Sequence, residues 1–245
     1  MSTHLPSADQ KPESGAAGAI GLKAIVRFAL YVLLQPLALF LSAGRTRWPM
    51  GWAYVVLSLV ATLGSRFLVM RKHPDLIAER AAALDRKDAQ AGDKLLVNIV
   101  GMLGPLAVLV VAGLDQRFAW SPHVPLALQW LALATVVCGF ALGTWAMLEN
   151  RFFSAVVRIQ TDRHQTVVTS GPYRFVRHPS YLGGIAAGLA MPVMLGSLWG
   201  LIPTALIALV IIARTAMEDR MLQDGLGGYA EYARRVRYRL LPGVW

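Results

Sequence analysis

The 245-residue chain carries little charge: 16% of its residues are Asp, Glu, Lys or Arg, against 56% hydrophobic. Soluble domains run nearer about 25% charged, so this composition excludes an ordinary aqueous fold and places the chain in the integral membrane class. Cysteine is almost absent. Cys138 alone cannot build a disulfide framework or a thiolate metal site, and inside an apolar segment it is expected as a small buried apolar residue. Histidine is sparse and scattered (His4, His73, His123, His164, His178), with no two at helical ligand spacing, so no metal site is expected. There is no Gly-x-Gly-x-x-Gly run after a strand and no nucleophile elbow, which leaves a Rossmann cofactor domain or a serine hydrolase without support. Charges inside the long apolar segments are few and no internal repeat is present, which argues against a small transporter.

What the chain has in quantity is apolar runs of membrane length, separated by basic loops. Residues 1–19, rich in Ser, Ala, Gly and Pro without an apolar core, are expected to form a disordered tail rather than a signal peptide. Residues 20–148 are expected to hold four transmembrane helices, Ile20–Ala43, Trp48–Met70, Leu95–Leu114 and Val124–Leu148. Each is near the roughly 20 residues that span hydrocarbon. From Leu182 to Ala213 there are 32 residues without a charge. A single helix of that length would measure about 48 Å, too long for a core of about 30 Å. Pro192 and Gly196-Ser197 near its middle predict a helical hairpin with a short first arm, its second arm running past Ala213 into water.

The net charge of +10 sits in loops and helix ends, which fits the positive-inside bias of a membrane protein rather than a nucleic-acid partner. The 71–94 segment carries Arg71, Lys72, Arg80, Arg86, Lys87 and Lys94, and the 149–181 segment carries Arg151, Arg158, Arg163, Arg174 and Arg177. The tail after Ala213 has six arginines, whereas the 115–123 loop has only Arg117. The first three are therefore expected in the cytosol and 115–123 outside. Arg45 and Arg47 then fall on the outer side, against the bias.

One polar stretch runs straight into the hairpin: Gly171-Pro-Tyr173-Arg-Phe-Val-Arg177-His178-Pro179-Ser180-Tyr181. Gly-Pro marks a turn, and Pro179 keeps His178 out of helical geometry while opening the next helix. His178 could cap that helix through backbone hydrogen bonds or take part in chemistry, and Tyr173 and Tyr181 could be interfacial anchors or site residues. Arg214 and Glu218 are four apart, so both point to one side of a helix, either as a simple ion pair or as members of a pocket floored by hydrophobic helices. The Tyr- and Arg-rich tail from Gly228 to Trp245 reads as an interfacial helix, or as a cap over a site formed by the neighbouring loop.

Together, Gln160-Thr-Asp-Arg-His-Gln165-Thr166-Val167-Val168-Thr-Ser-Gly-Pro-Tyr173, Arg177-His-Pro-Ser-Tyr181, Arg214-x-x-x-Glu218 and the closing Tyr-x-x-Tyr and Leu-Pro-Gly resemble the C-terminal core of the isoprenylcysteine carboxyl methyltransferase family. The resemblance covers residues 151–245 well and the first four helices weakly. With the four N-terminal transmembrane helices and C-terminal hairpin read above, the chain is expected to be an all-α integral membrane bundle, and the resemblance implies a membrane enzyme with its catalytic core over 149–245. The 150–181 loop and the C-terminal tail would form a cytosolic pocket for S-adenosylmethionine. By position, Gln160, Gln165, Thr166, Val167, Val168, Tyr173, His178, Pro179, Ser180, Tyr181 and Glu218 would line that pocket. Arg214 and Glu218 would be the catalytic pair, with Arg214 facing a lipophilic or small apolar methyl acceptor drawn from the bilayer.

A planar, always-charged Arg214 suits a carboxylate acceptor better than a protonated amine. The prenylcysteine enzymes tend to have His-Thr where this chain has Gln165-Thr166, which leaves the acceptor class open. Phospholipid-type N-methylation and small-thiol S-methylation on the same scaffold remain alternatives. So does an NADPH-dependent sterol-type reductase, whose C-terminal region is similar. If the source is bacterial, the resemblance implies the inner membrane, with the site facing the cytosol.

Overall fold

A computed structural model describes residues 22–83 and 92–245, which are helical wherever they are regular; the tail expected over 1–19 and the basic residues Arg86 and Lys87 lie outside them. The helices are α1 Leu22–Ala43, α2 Pro49–Lys72, α3 Pro74–Ala82, α4 Asp93–Asn98, α5 Gly104–Phe118, α6 Leu126–Glu149, α7 Pro179–Met194, α8 Leu201–Gly225 and α9 Tyr229–Arg235. A π-helical turn, Ile99–Leu103, joins α4 to α5. Its cause is Pro105, which has no N–H to give to the preceding turn; Gly104 N–H bonds to Ile99, five residues back.

Among the described residues, four helical stretches are long and apolar enough to cross a membrane: Pro49–Lys72, Asp93–Phe118, Leu126–Glu149 and Leu201–Gly225. The apolar part of α1, Phe28–Ala43, is shorter. Many large apolar side chains point outward, among them Leu41, Val60, Leu131 and Leu209, an arrangement that lipid tolerates and water does not. Cys138, expected as buried, is instead exposed on α6. That helix is apolar all round, so a small thiol costs nothing on its outer face.

The predicted hairpin is present. α7 ends at Met194, and Gly196 takes a left-handed φ of +72° that an L side chain would resist. The chain turns back over Leu195–Gly200 into α8. Buried Asp115, at the end of α5, holds this turn by accepting from Ser197 Oγ at 2.5 Å and from Ser121 N at 2.7 Å. Arg45 reaches the same end, donating to Gln116 Oε1 at 2.5 Å. α7 is tied most closely to α6, where a Cβ on Gly139 would lie 2.5 Å from Gly183 O, and one on Gly183 would lie 2.6 Å from Gly139 O. Small residues at this contact bring the two backbones together. The main core lies between α1, α2, α5, α6 and α7, around Leu39, Tyr54, Leu109, Val136 and Met194. At the opposite end from the hairpin turn, α3, the 150–178 loop, the end of α8 and α9 come together.

Candidate active site

The 150–178 segment has no long regular element, so its backbone must be satisfied locally. Gly171 has φ +56°, and a Cβ there would lie 2.4 Å from the Glu149 side chain, so only glycine lets the loop pass α6 this closely. Gln160 is almost fully buried and spans the loop: its Nε2 donates to Phe152 O at 2.6 Å, and its Oε1 accepts from Arg163. Gln165 Oε1 accepts from Gln160 N at 2.7 Å. Arg158 is clamped between Glu79 (3.0 Å) on α3 and Asp162 (2.9 Å). Burial alone would lower this guanidinium, but both carboxylates hold it above its ordinary value.

The loop, α7, the end of α8 and α9 enclose a cavity of about 760 Å³, counting its open mouth. Its walls include Gln160, Gln165, Thr166, Val167, Val168, Tyr173, His178, Ser180, Tyr181 and Glu218. Pro179 does not line it; the ring sits buried at the first position of α7 and sets the direction of that helix. Glu218 is the one carboxylate among the lining residues, and it accepts from Tyr181 Oη at 2.6 Å. Arg158 and Arg177 also reach the wall, but both are neutralised from behind. The cavity thus offers one carboxylate to a cationic ligand, among aromatic faces.

Asp219, next to Glu218, is 0% exposed and turns away into a hub. Arg177 binds it through two nitrogens (2.7 and 2.9 Å), Arg239 at 2.8 Å, Tyr229 Oη at 3.0 Å and Gln223 at 2.8 Å. His178 Nε2 lies 3.3 Å from the same carboxylate, and its ring stacks on Tyr181. His178 occupies the cap position of α7 without a side-chain capping bond, so its imidazole serves the hub rather than the helix start. Arg177 N and His178 N donate to Tyr238 O and Arg239 O, both at 2.9 Å, which binds the tail edge-on to the loop.

Two of the three tail tyrosines turn inward, while Tyr238 stays exposed. Tyr229 and Tyr232 are buried and line the cavity, and Tyr232 Oη donates to Tyr173 O at 2.7 Å. Burial raises the hydroxyls of Tyr173, Tyr229 and Tyr232 above the ordinary phenol range, with the Asp219 charge adding to this at Tyr229. They remain neutral donors at any physiological pH.

Arg214 does not line this cavity and does not pair with Glu218 as a simple helical pair. Its Nε and Nη2 bind buried Asp93 at 2.7 and 3.1 Å, and Nη2 also donates to Ala155 O at 2.6 Å. A forked pair to a buried carboxylate outweighs a helical ion pair of a few tenths of a kcal/mol. The guanidinium lies 5.6 Å from the centre of the Tyr181 ring, just behind the wall.

A second cavity, about 1170 Å³ with its open mouth and mostly apolar, lies between α1, α2, α5, α6, α7 and α8. Tyr54, whose hydroxyl donates to Gln35 at 2.8 Å, lines it with Val136, Gly184, Ala187 and Ile211. Ser180 lines both cavities. Sequence reasoning missed Asp219, Asp93 and Arg177 as organisers of the site; the acidic residue beside Glu218 was the available signal for the first, and nothing in the sequence joins Asp93 to Arg214.

Comparison with known proteins places the chain among membrane methyltransferases. Residues 127–227 match the family described as phospholipid methyltransferase. Protein-S-isoprenylcysteine O-methyltransferase B of Arabidopsis thaliana is 32% identical over 150 residues, covering 58% of this chain and 70% of that protein. The cobalt-zinc-cadmium resistance protein CzcN of Cupriavidus metallidurans is 35% identical over 108 residues, 44% of this chain and 49% of its own length. Protein-S-isoprenylcysteine O-methyltransferase of Schizosaccharomyces pombe is 31% identical over 114 residues, 44% of this chain and 47% of that one. The matched length, the apolar helices and the loop-built cavity converge on one assignment: this chain belongs to the protein-S-isoprenylcysteine O-methyltransferase family of integral membrane methyltransferases.

Proposed function

We propose that the chain methylates the carboxylate of a lipophilic acceptor, using S-adenosylmethionine held in the loop-built cavity while the acceptor's apolar part occupies the cavity between the helices. The observation that carries this reading is Ser180, shared by the walls of both spaces, which puts a polar pocket and an apolar one within a side chain of each other. When bound, S-adenosylmethionine supplies an electrophilic methyl on a sulfonium sulfur. Glu218 faces the cationic end of such a ligand, and the rings of Tyr173 and Tyr181 add cation–π attraction. Gln165 keeps its amide nitrogen without a partner among the described residues, ready to donate into the cavity. Val167 and Val168 supply an apolar wall. Gln160, Thr166, His178 and Pro179 complete or support the pocket.

Methyl transfer by in-line displacement needs alignment above all. An ionised carboxylate already carries the attacking lone pair, so no residue has to remove a proton, which suits a site whose histidine is turned toward Asp219. Arg214, fixed by Asp93 through Nε and Nη2, has no hydrogen bond from Nη1 among the described residues and lies 5.6 Å from the centre of the Tyr181 ring. The basic loop end of the bundle supports a cytosolic orientation by the positive-inside bias. Amine methylation of a phospholipid is the second reading, favoured by the match over 127–227.

The test supplies methyl-labelled S-adenosylmethionine to the detergent-purified protein with N-acetyl-S-farnesylcysteine, with phosphatidylethanolamine, or with an alkyl thiol. A carboxyl methyl ester releases its label as methanol in alkali, whereas N- and S-methyl groups do not. Alkali-labile label on the farnesylcysteine is the expected result; alkali-stable label on the phospholipid or the thiol would replace this reading.

A further inference from the structure

Among the described residues, most cations around the loop are matched by carboxylates. Arg158 has Glu79 and Asp162, Arg163 and Arg151 share Asp75, Arg177 and Arg239 share Asp219, and Arg214 has Asp93. Arg80, in α3, has no carboxylate partner among the described residues. Its Nη1 donates to Phe153 O at 3.3 Å, and its guanidinium lies 5.3 Å from the centre of the Phe153 ring, a residue of the cavity wall. Two residues along, Ala155 O receives Arg214, so the two arginines bracket the same short piece of loop. Burial lowers the Arg80 guanidinium to about 10, and the like charges of Arg66 and Arg214 act in the same direction. A partly buried guanidinium with a backbone carbonyl, an aromatic edge and two neighbouring cations for company is a site short of an anion.

We infer that Arg80 is the anchor for the acceptor's carboxylate, a specificity-determining residue contributed by the short helix α3 rather than by the C-terminal core. This deepens the carboxylate reading proposed above and rests on it. Arg214 is already committed through Nε and Nη2, the fork that would grip a carboxylate through two bonds, whereas Arg80 uses only one of its donors on a single carbonyl. The assignment also gives α3 a purpose: buried Leu76 and the Glu79–Arg158 pair fasten the helix to the loop and hold Arg80 against Phe153 of the cavity wall.

The experiment compares N-acetyl-S-farnesylcysteine with its uncharged carboxamide, the first as substrate and the second as competitive inhibitor, in wild type, Arg80→Gln and Arg80→Lys. The expected result for Arg80→Gln is a KM for the acid raised at least tenfold, an inhibition constant for the amide unchanged within twofold, and S-adenosylhomocysteine binding unchanged within twofold. Arg80→Lys recovers part of the preference for the acid. Intact acid-over-amide preference in Arg80→Gln overturns the inference alone. Loss of S-adenosylhomocysteine binding in that variant also overturns it, because Arg80 would then serve only to hold the loop at Phe153. Failure of the wild type to methylate the acid removes the carboxylate reading itself, and this inference with it.

Discussion

Asp219→Ala removes a fully buried carboxylate that takes donors from four side chains at 2.7–3.0 Å, two of them from the tail. The largest consequence falls on Arg177, whose side chain is 6% exposed and whose charge loses its forked partner. Breaking a buried pair from one side costs about 3–5 kcal/mol. The backbone oxygens of Val236 and Arg237, each 2.8 Å from Nη1, soften this, so the low end of that range is expected. Arg239 is 30% exposed and can rehydrate, so it adds little. About 3 kcal/mol lost from the docking of the tail raises the population of the undocked tail roughly a hundredfold. Tryptic cleavage at Arg234, Arg235, Arg237 and Arg239 under native conditions tracks that population when reclosing is fast. The assay is therefore the half-life of the tail under dilute trypsin, with the exposed Asp224→Ala as control. A half-life for Asp219→Ala within threefold of the control would refute the view of Asp219 as the clamp on the tail.

Gly139→Ala and Gly183→Ala each push a methyl group into backbone at the α6–α7 contact and are expected to destabilise by about 1–3 kcal/mol, read as a lower melting temperature in detergent. Gly64→Ala, with nothing within 4 Å of the new Cβ, is expected to be neutral or slightly stabilising. Desolvation would raise the Asp75 carboxyl, but the hydrogen bonds and charges of Arg163 and Arg151 together outweigh it and hold it below its ordinary value. A depressed carboxyl contributes stability above its unfolded pKa of about 3.9 and loses it as pH falls through the lower folded value. Protection of α3 from proteolysis should therefore weaken below about pH 4, and Asp75→Asn should flatten that acid-side change.

Much of the membrane scaffold was legible because apolar length is a strong signal. Trp48–Met70 became Pro49–Lys72, Val124–Leu148 became Leu126–Glu149, and the hairpin turned where Pro192 and Gly196-Ser197 indicated. Of the expected pocket residues, all but Pro179 on the cofactor side line one cavity, because the α7–α8 hairpin returns Glu218 beside the 160–181 stretch. α3 was not foreseen: the charges of the 71–94 segment read as a solvated loop, and the Pro74-Asp75 start was too short a signal to separate a helix from it. The pairings also escaped. Arg214 and Asp93 are 121 residues apart, and spacing along a helix reports only the local alternative, Glu218. Tyr229 and Tyr232 carried a chemistry that suits an interface equally well, and only packing against Tyr173 and Asp219 turned them inward.

The most direct test is calorimetric binding of S-adenosylhomocysteine and, separately, NADPH to the purified protein and to Glu218→Gln. The account predicts that S-adenosylhomocysteine binds, that its affinity falls at least tenfold in Glu218→Gln, since a charge-assisted hydrogen bond contributes about 1.5–3 kcal/mol, and that NADPH does not bind. Binding of NADPH in place of S-adenosylhomocysteine, or an affinity for S-adenosylhomocysteine untouched by Glu218→Gln, would contradict it.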